Sequence, residues 1–232
     1  MSAPAEGTGE AGLVVGWLQR LDAFPVTFGV LSAVLLLYGW AALPPPLSTH
    51  LSAEVLFRLG ACQADQIPTA PWRLITAAFL HADLAHLACN GVGILLLLPR
   101  AETRFGSARA WIVFLSCAVC GSLVSEVPRL LLEQPHSTVG ASGGLCGLVG
   151  ALYVAHRRAG EEAQARTLRD WGFLIAVVSF VPGVNGLAHL GGVLAGAGWG
   201  FALGKPTHAG WTACGILLGV AWLAAFGLVT LQ

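Results

Sequence analysis

Charge is scarce in this sequence. Only 10% of its 232 residues are Asp, Glu, Lys or Arg, where a soluble domain carries roughly a quarter. Twelve basic and twelve acidic residues cancel to a net charge of zero, which gives no support to a nucleic-acid partner. A transporter-like internal repeat is missing too. So is a basic, Ser-rich leader: the segment before Ala23 holds Glu6, Glu10 and Asp22 against Arg20 alone. The first hydrophobic segment is therefore expected to stay in place as a membrane span.

What is there is apolar. Hydrophobic residues make up 56% of the chain, and residues 23–53, 84–99, 110–125, 134–156, 171–204 and 206–232 contain no Asp, Glu, Lys or Arg. A helix needs about 20 apolar residues to cross a bilayer. Lipid cannot satisfy bare backbone groups, so the spanning elements are helices. The pattern predicts an all-α polytopic membrane protein with seven crossings, near 25–43, 80–98, 109–127, 141–156, 168–182, 186–204 and 211–231. Spans five and six share one uncharged run, divided at "VPGVNG", where Pro182 and Gly183 interrupt helix.

A cytoplasmic N-terminus puts Arg20, Arg100, Arg104, Arg109, Arg157, Arg158, Arg166, Arg169 and Lys205 inside and Arg58, Arg73 and Arg129 outside. Nine against three obeys the positive-inside rule. The loop over 44–79 reads as partly embedded at the outer surface, with Trp72 and Arg73 as interface anchors. "CAVC", Cys117 to Cys120, lies inside a span and reads as packing.

Polar side chains inside a span are costly and mark function by default. Three sets sit toward the outer helix ends. Span two opens with His81, Asp83, His86 and Asn90; span four holds Ser142; span six holds Asn185 and His189. A serine nucleophile needs a base, and His189 is the histidine at matching depth. Gly143 and Gly147 lie i, i+4 on span four, and Gly192, Gly196 and Gly200 repeat that spacing on span six. Such ridges let membrane helices approach closely, which would bring the hydroxyl to the imidazole. His86 and Asn90 share a face of span two and, with the Ser142 N–H, form a candidate oxyanion site. "GASGG" also fits the G-x-S-x-G elbow of soluble hydrolases, but no strand precedes the serine.

The stretches "WRLITAAFLHADLAHLACN", "ETRFGS", "GASGGLCG" and "AHLGGVLAG" resemble, in order, the rhomboid family of intramembrane serine proteases. The resemblance covers about 70–205. It implies a six-helix core over 25–205, between an N-terminal cytoplasmic segment (1–24) and an extra C-terminal transmembrane helix (206–232). It implies a Ser142–His189 dyad with no acid, His86 and Asn90 at the oxyanion, and Gly140 in the G-x-S-G turn. Glu102 and Arg104 match the family's E-x-R and are expected to hold the cytoplasmic loop. The family usually has an aromatic on the imidazole four residues past the serine; this chain has Cys146.

The function expected is serine endopeptidase action on transmembrane helices, with neither cofactor nor metal. The partners are single-span or C-terminally anchored substrates in the bilayer. Trimming of C-terminal sorting helices, as by rhombosortases, and non-catalytic helix binding are the alternatives. The expected location is a bacterial inner membrane.

Overall fold

The computed structural model describes residues 22–43, 48–132 and 137–203. Most of the 1–24 segment and all of the seventh span expected near 211–231 lie outside these residues. Six long helices form the described bundle: α1 (Pro25–Ala42), α4 (Leu84–Phe105), α5 (Ser107–Leu131), α6 (Ser142–Arg158), α7 (Glu162–Val178) and α8 (Gly186–Ala202). Two short helices, α2 (Ala53–Arg58) and α3 (Arg73–Thr76), fold the long first loop.

By length and composition alone, Pro25–Ala42, Leu84–Phe105 and Ser107–Arg129 are apolar enough to cross a membrane. The helices α6, α7 and α8 have 17 residues each, about 25 Å at 1.5 Å per residue. Leu36, Leu43, Phe173, Phe180, Leu194 and Phe201 are all exposed, an apolar surface that lipid covers. The fold is thus an all-α membrane bundle.

Local chemistry sets the helix ends. Asp83 caps α4 by accepting from the His86 N–H (2.8 Å), and Asn185 caps α8 by accepting from the Ala188 N–H (3.2 Å). Gly106 at φ +85° turns α4 directly into α5. Several boundaries differ from the sequence reading: α4 runs on to Phe105 rather than ending near 98, and α5 covers Ser107–Leu131 rather than 109–127. The sequence places span five at 168–182, whereas α7 runs from Glu162 to Val178. The charged stretch "EAQARTLRD" is made of good helix formers, so the helix begins there. It ends before Ser179, earlier than the proline predicted.

α6 is the centre of the bundle. It packs on α4, α5, α7 and α8, and Gly143 through Leu152 is buried without interruption. The tightest approach is to α8. A Cβ on Gly192 would lie 2.1 Å from the Gly143 carbonyl oxygen, one on Gly196 1.8 Å from that of Gly147, and one on Gly200 2.5 Å from that of Ala151. The contact is therefore side-chain-free helix against backbone. Gly143 behaves differently from the expected ridge residue: its own Cβ direction meets nothing closer than 3.6 Å. It contributes its carbonyl rather than a missing side chain. The place a Cβ on Gly147 would take is already filled by the Cys117 side chain, so the first cysteine of "CAVC" is a packing group, unbonded to another sulfur.

Glu102, expected to hold the loop after span two, is bonded instead to α1. Its carboxylate accepts from the N–H groups of Val26 (3.1 Å) and Thr27 (2.8 Å) and from the Thr27 hydroxyl (2.7 Å). These donors belong to the first turn of α1, where helical N–H groups lack partners. Arg104 reaches the other way, to the Ala155 carbonyl (3.1 Å) and Glu161 (3.2 Å) at the end of α6. The E-x-R pair thus ties α1, α4 and α6 at one end.

Gly196→Ala should lower the thermal midpoint in detergent sharply, by an overpacking cost of about 1–3 kcal/mol. Gly143→Ala should stay close to wild type, and equal losses would refute the asymmetry. Glu102→Ala should cost about 1.5–3 kcal/mol, the range for hydrogen bonds to a charged group, measured by the same unfolding assay.

Candidate active site

Ser142 is the first residue of α6, and the chain entering it is clamped from both sides. The Cys62 and Thr138 backbones exchange hydrogen bonds (3.1 and 2.8 Å), and the Gly140 N–H donates to the Ala77 carbonyl (2.8 Å). On the opposite side, Asn185 Nδ2 donates to Ser125 Oγ (2.8 Å) and Thr138 Oγ1 (2.9 Å). The Thr138 hydroxyl donates to Glu126, and Arg129 donates to Ser125 (2.7 Å) and Glu126 (3.3 Å). Asn185 is thus both the cap of α8 and a tie between α8 and the approach to Ser142.

The first loop is built to hold this clamp. Arg73 donates to the carbonyls of Phe57 (2.7 Å) and Ala61 (3.0 Å), and its guanidinium lies 4.3 Å from the Phe57 ring centre. It pins the loop, and Trp72 beside it is exposed. Cys62 is buried and unbonded to another sulfur. Burial, with the nearby Glu126 charge, pushes its thiol up to about 12, so it stays protonated and unreactive.

A cavity of about 630 Å³ opens beside Ser142. Ser142, His189, His86 and Asn90 all line it, with Cys146, Leu145 and Val178. Ser142, His189, His86 and Asn90 come from the amino-terminal ends of α4, α6 and α8, gathered at one end of the bundle. No hydrogen bond joins Ser142 to His189 among the described residues. Catalytic hydrogen bonds often close only around substrate.

α6 begins without a side-chain cap, and the first N–H groups of a helix have no partner within it. The Ser142 amide is therefore a donor at the cavity wall. His86 stands against Gly140. A Cβ there would lie 2.6 Å from His86 Nε2, and the residue has φ +114°. Only glycine fits both constraints. The His86 ring also packs edge-on against His81, with centroids 5.0 Å apart. Asn90 is buried and donates one amide N–H to the His86 carbonyl (2.9 Å). An amide carries two such donors, so one remains.

His189 is buried in the cavity wall. Its Nδ1 lies 2.7 Å from the Ser179 hydroxyl oxygen. Ser179 went unremarked in the sequence, where a lone hydroxyl in an apolar run gives little signal. No ring comes from position 146: Cys146 is buried one turn along α6 from Ser142.

An uncapped helix start bearing a serine, in one cavity with two histidines and an amide, defines a helical membrane protein with the groups that acyl transfer requires. Comparison with known proteins narrows the class. The family model for the rhomboid domain matches residues 68–206. The chain is 33% identical over 167 residues to RHOMBOID-like protein 6, mitochondrial, of Arabidopsis thaliana, covering 69% of this chain and 53% of that protein. It is 30% identical over 162 residues to rhomboid protease GluP of Bacillus subtilis, covering 67% and 31%. It is 34% identical over 152 residues to rhomboid-like protease 3 of Toxoplasma gondii, covering 62% and 56%. The chain belongs to the rhomboid family. It spans about half, or less, of the length of these relatives.

The fit of His86 against Gly140 has a measurable consequence. Gly106 also has positive φ but nothing within 4 Å of its Cβ direction. Gly140→Ala should therefore lower the thermal midpoint more than Gly106→Ala, since both meet left-handed strain and only one meets a ring. Equal shifts would show that the imidazole moves aside freely.

Proposed function

We propose that this protein is an intramembrane serine endopeptidase in which Ser142 is the nucleophile and His189 the base. One observation carries the reading: Ser142 sits at an uncapped helix start and shares its cavity with His189, His86 and Asn90. Ser142 Oγ attacks the scissile carbonyl while His189 takes its proton. The negative oxygen that develops is met by the Ser142 N–H, the free Asn90 N–H and the His86 ring. Fixed donors of this kind stabilise charge present only in the transition state. His189 then protonates the leaving amine, and a water molecule, deprotonated by the same imidazole, releases the acyl group from Ser142.

The cavity walls fit the substrate class. α4 supplies Gly93 and Leu97, and α7 supplies Ile175 and Val178, so the approach to the serine is apolar. A helical substrate keeps its carbonyls in its own hydrogen bonds. The reading therefore favours single-span or C-terminally anchored membrane proteins with helix-weakening residues near the outer face. The relatives come from a plant, a bacterium and Toxoplasma gondii. They support a membrane location and do not favour a bacterial inner membrane over others.

Ser142→Ala and His189→Ala should each abolish cleavage of a model transmembrane substrate, and the double variant should lose little more, because the pair acts as a unit. Asn90→Ala should lower kcat by roughly 10²-fold with KM nearly unchanged. Residual turnover by Ser142→Ala would refute the nucleophile. A loss confined to KM would move Asn90 out of the oxyanion site.

A further inference from the structure

We propose that Ser179 is a positioning residue for His189, holding the imidazole in its Nδ1–H form so that Nε2 is left without a proton. The inference rests on the reading of His189 as the base, and it specifies how that base is kept ready.

Ser179 has a single hydroxyl proton to place. Ser179 Oγ lies 2.7 Å from the Ile175 carbonyl oxygen and 2.7 Å from His189 Nδ1. A hydroxyl has one hydrogen, and a carbonyl can only accept. The hydroxyl proton therefore points at Ile175, the preceding-turn carbonyl that serines commonly seek. The opposite arrangement would set two oxygen acceptors face to face at 2.7 Å. With its proton committed, Ser179 Oγ offers a lone pair to the imidazole, so Nδ1 carries the hydrogen. In a neutral ring the other nitrogen, Nε2, is then the acceptor. That is the state a general base needs before it takes a proton from Ser142.

The backbone is shaped to make this contact. α7 ends at Val178, which places Ser179 at the helix terminus. Gly183, at φ +88°, reverses the chain after Pro182. Gly186 then passes so close to Ser179 that a Cβ there would lie 2.9 Å from the Ser179 carbonyl oxygen. The Asn185 cap starts α8 at that point, and His189 follows one turn later. Position 146, where a ring could have packed on the imidazole, is a cysteine. A hydrogen bond from α7 does the orienting instead.

The test reads the tautomer directly. Full-length protein carrying ¹⁵N-labelled histidine is placed in lipid nanodiscs, above the pH at which imidazoles titrate. The His189 signals are identified by their loss in His189→Gln. Wild type and Ser179→Thr should show a protonated Nδ1 and a bare Nε2. Ser179→Ala should shift the proton wholly or partly to Nε2. In turnover assays Ser179→Ala should lower kcat by about tenfold, the worth of one hydrogen bond, with KM unchanged, and Ser179→Thr should restore it. A protonated Nε2 in wild type, or an unchanged tautomer in Ser179→Ala, overturns the proposal. The spectrum does not depend on proteolysis. Turnover surviving in Ser142→Ala would thus defeat the dyad while leaving the tautomer result to be judged alone.

Discussion

The structure depends on one contact, the backbone-to-backbone approach of α8 onto α6. At Gly192, Gly196 and Gly200 the space for a side chain is already filled by carbonyl oxygens of α6. In a bilayer, helices gain little from hiding apolar surface, because lipid is as apolar as leucine. Close packing and weak polar contacts drive their association instead. Removing side chains from one helix gives both. It also fixes where α8 begins relative to α6, and the helix starts are where the polar groups sit. The serine and the histidine share a cavity because two helices that carry them touch along their length.

Position along the helix axis needs a second constraint, and the loops supply it. The segment before Ser142 is bonded to the first loop through Cys62 and Ala77 and to α5 and α8 through Thr138 and Asn185. Glu102 and Arg104 perform the matching task at the other end, tying α1 and the end of α6 to α4. The bundle is therefore pinned at both ends by polar groups and packed in the middle by glycine. The α4 and α7 walls between which the cavity opens carry the apolar lining instead.

Much of this was legible in the sequence. Charge-free runs located the described helices, since lipid admits little else. His86, Asn90, Ser142 and His189 stood out because polar side chains inside spans are rare, and all four line one cavity. The glycine spacing announced close approach, though not which partner contributes a carbonyl and which a missing side chain, as Gly143 shows. Other features were hidden. The start of α7 lies in a charged stretch whose helix propensity exceeds its hydropathy as a signal. Ser179 carries one hydroxyl in an apolar run, and its partner stands ten residues away across a turn that only the folded chain defines. Glu102 reaches α1, more than seventy residues earlier, and no local pattern foretells a contact of that range.

On the proposed function, the fold makes Ser142 a nucleophile. A fluorophosphonate probe reacts with an activated serine and ignores a merely buried one, so it tests that claim without any knowledge of the substrate. The protein is incubated with the probe in lipid, digested, and the modified peptide mapped by mass spectrometry. A single adduct on Ser142 that disappears in His189→Ala is expected. Labelling that persists at full rate without His189, or a folded wild-type protein that takes up no probe, would contradict it.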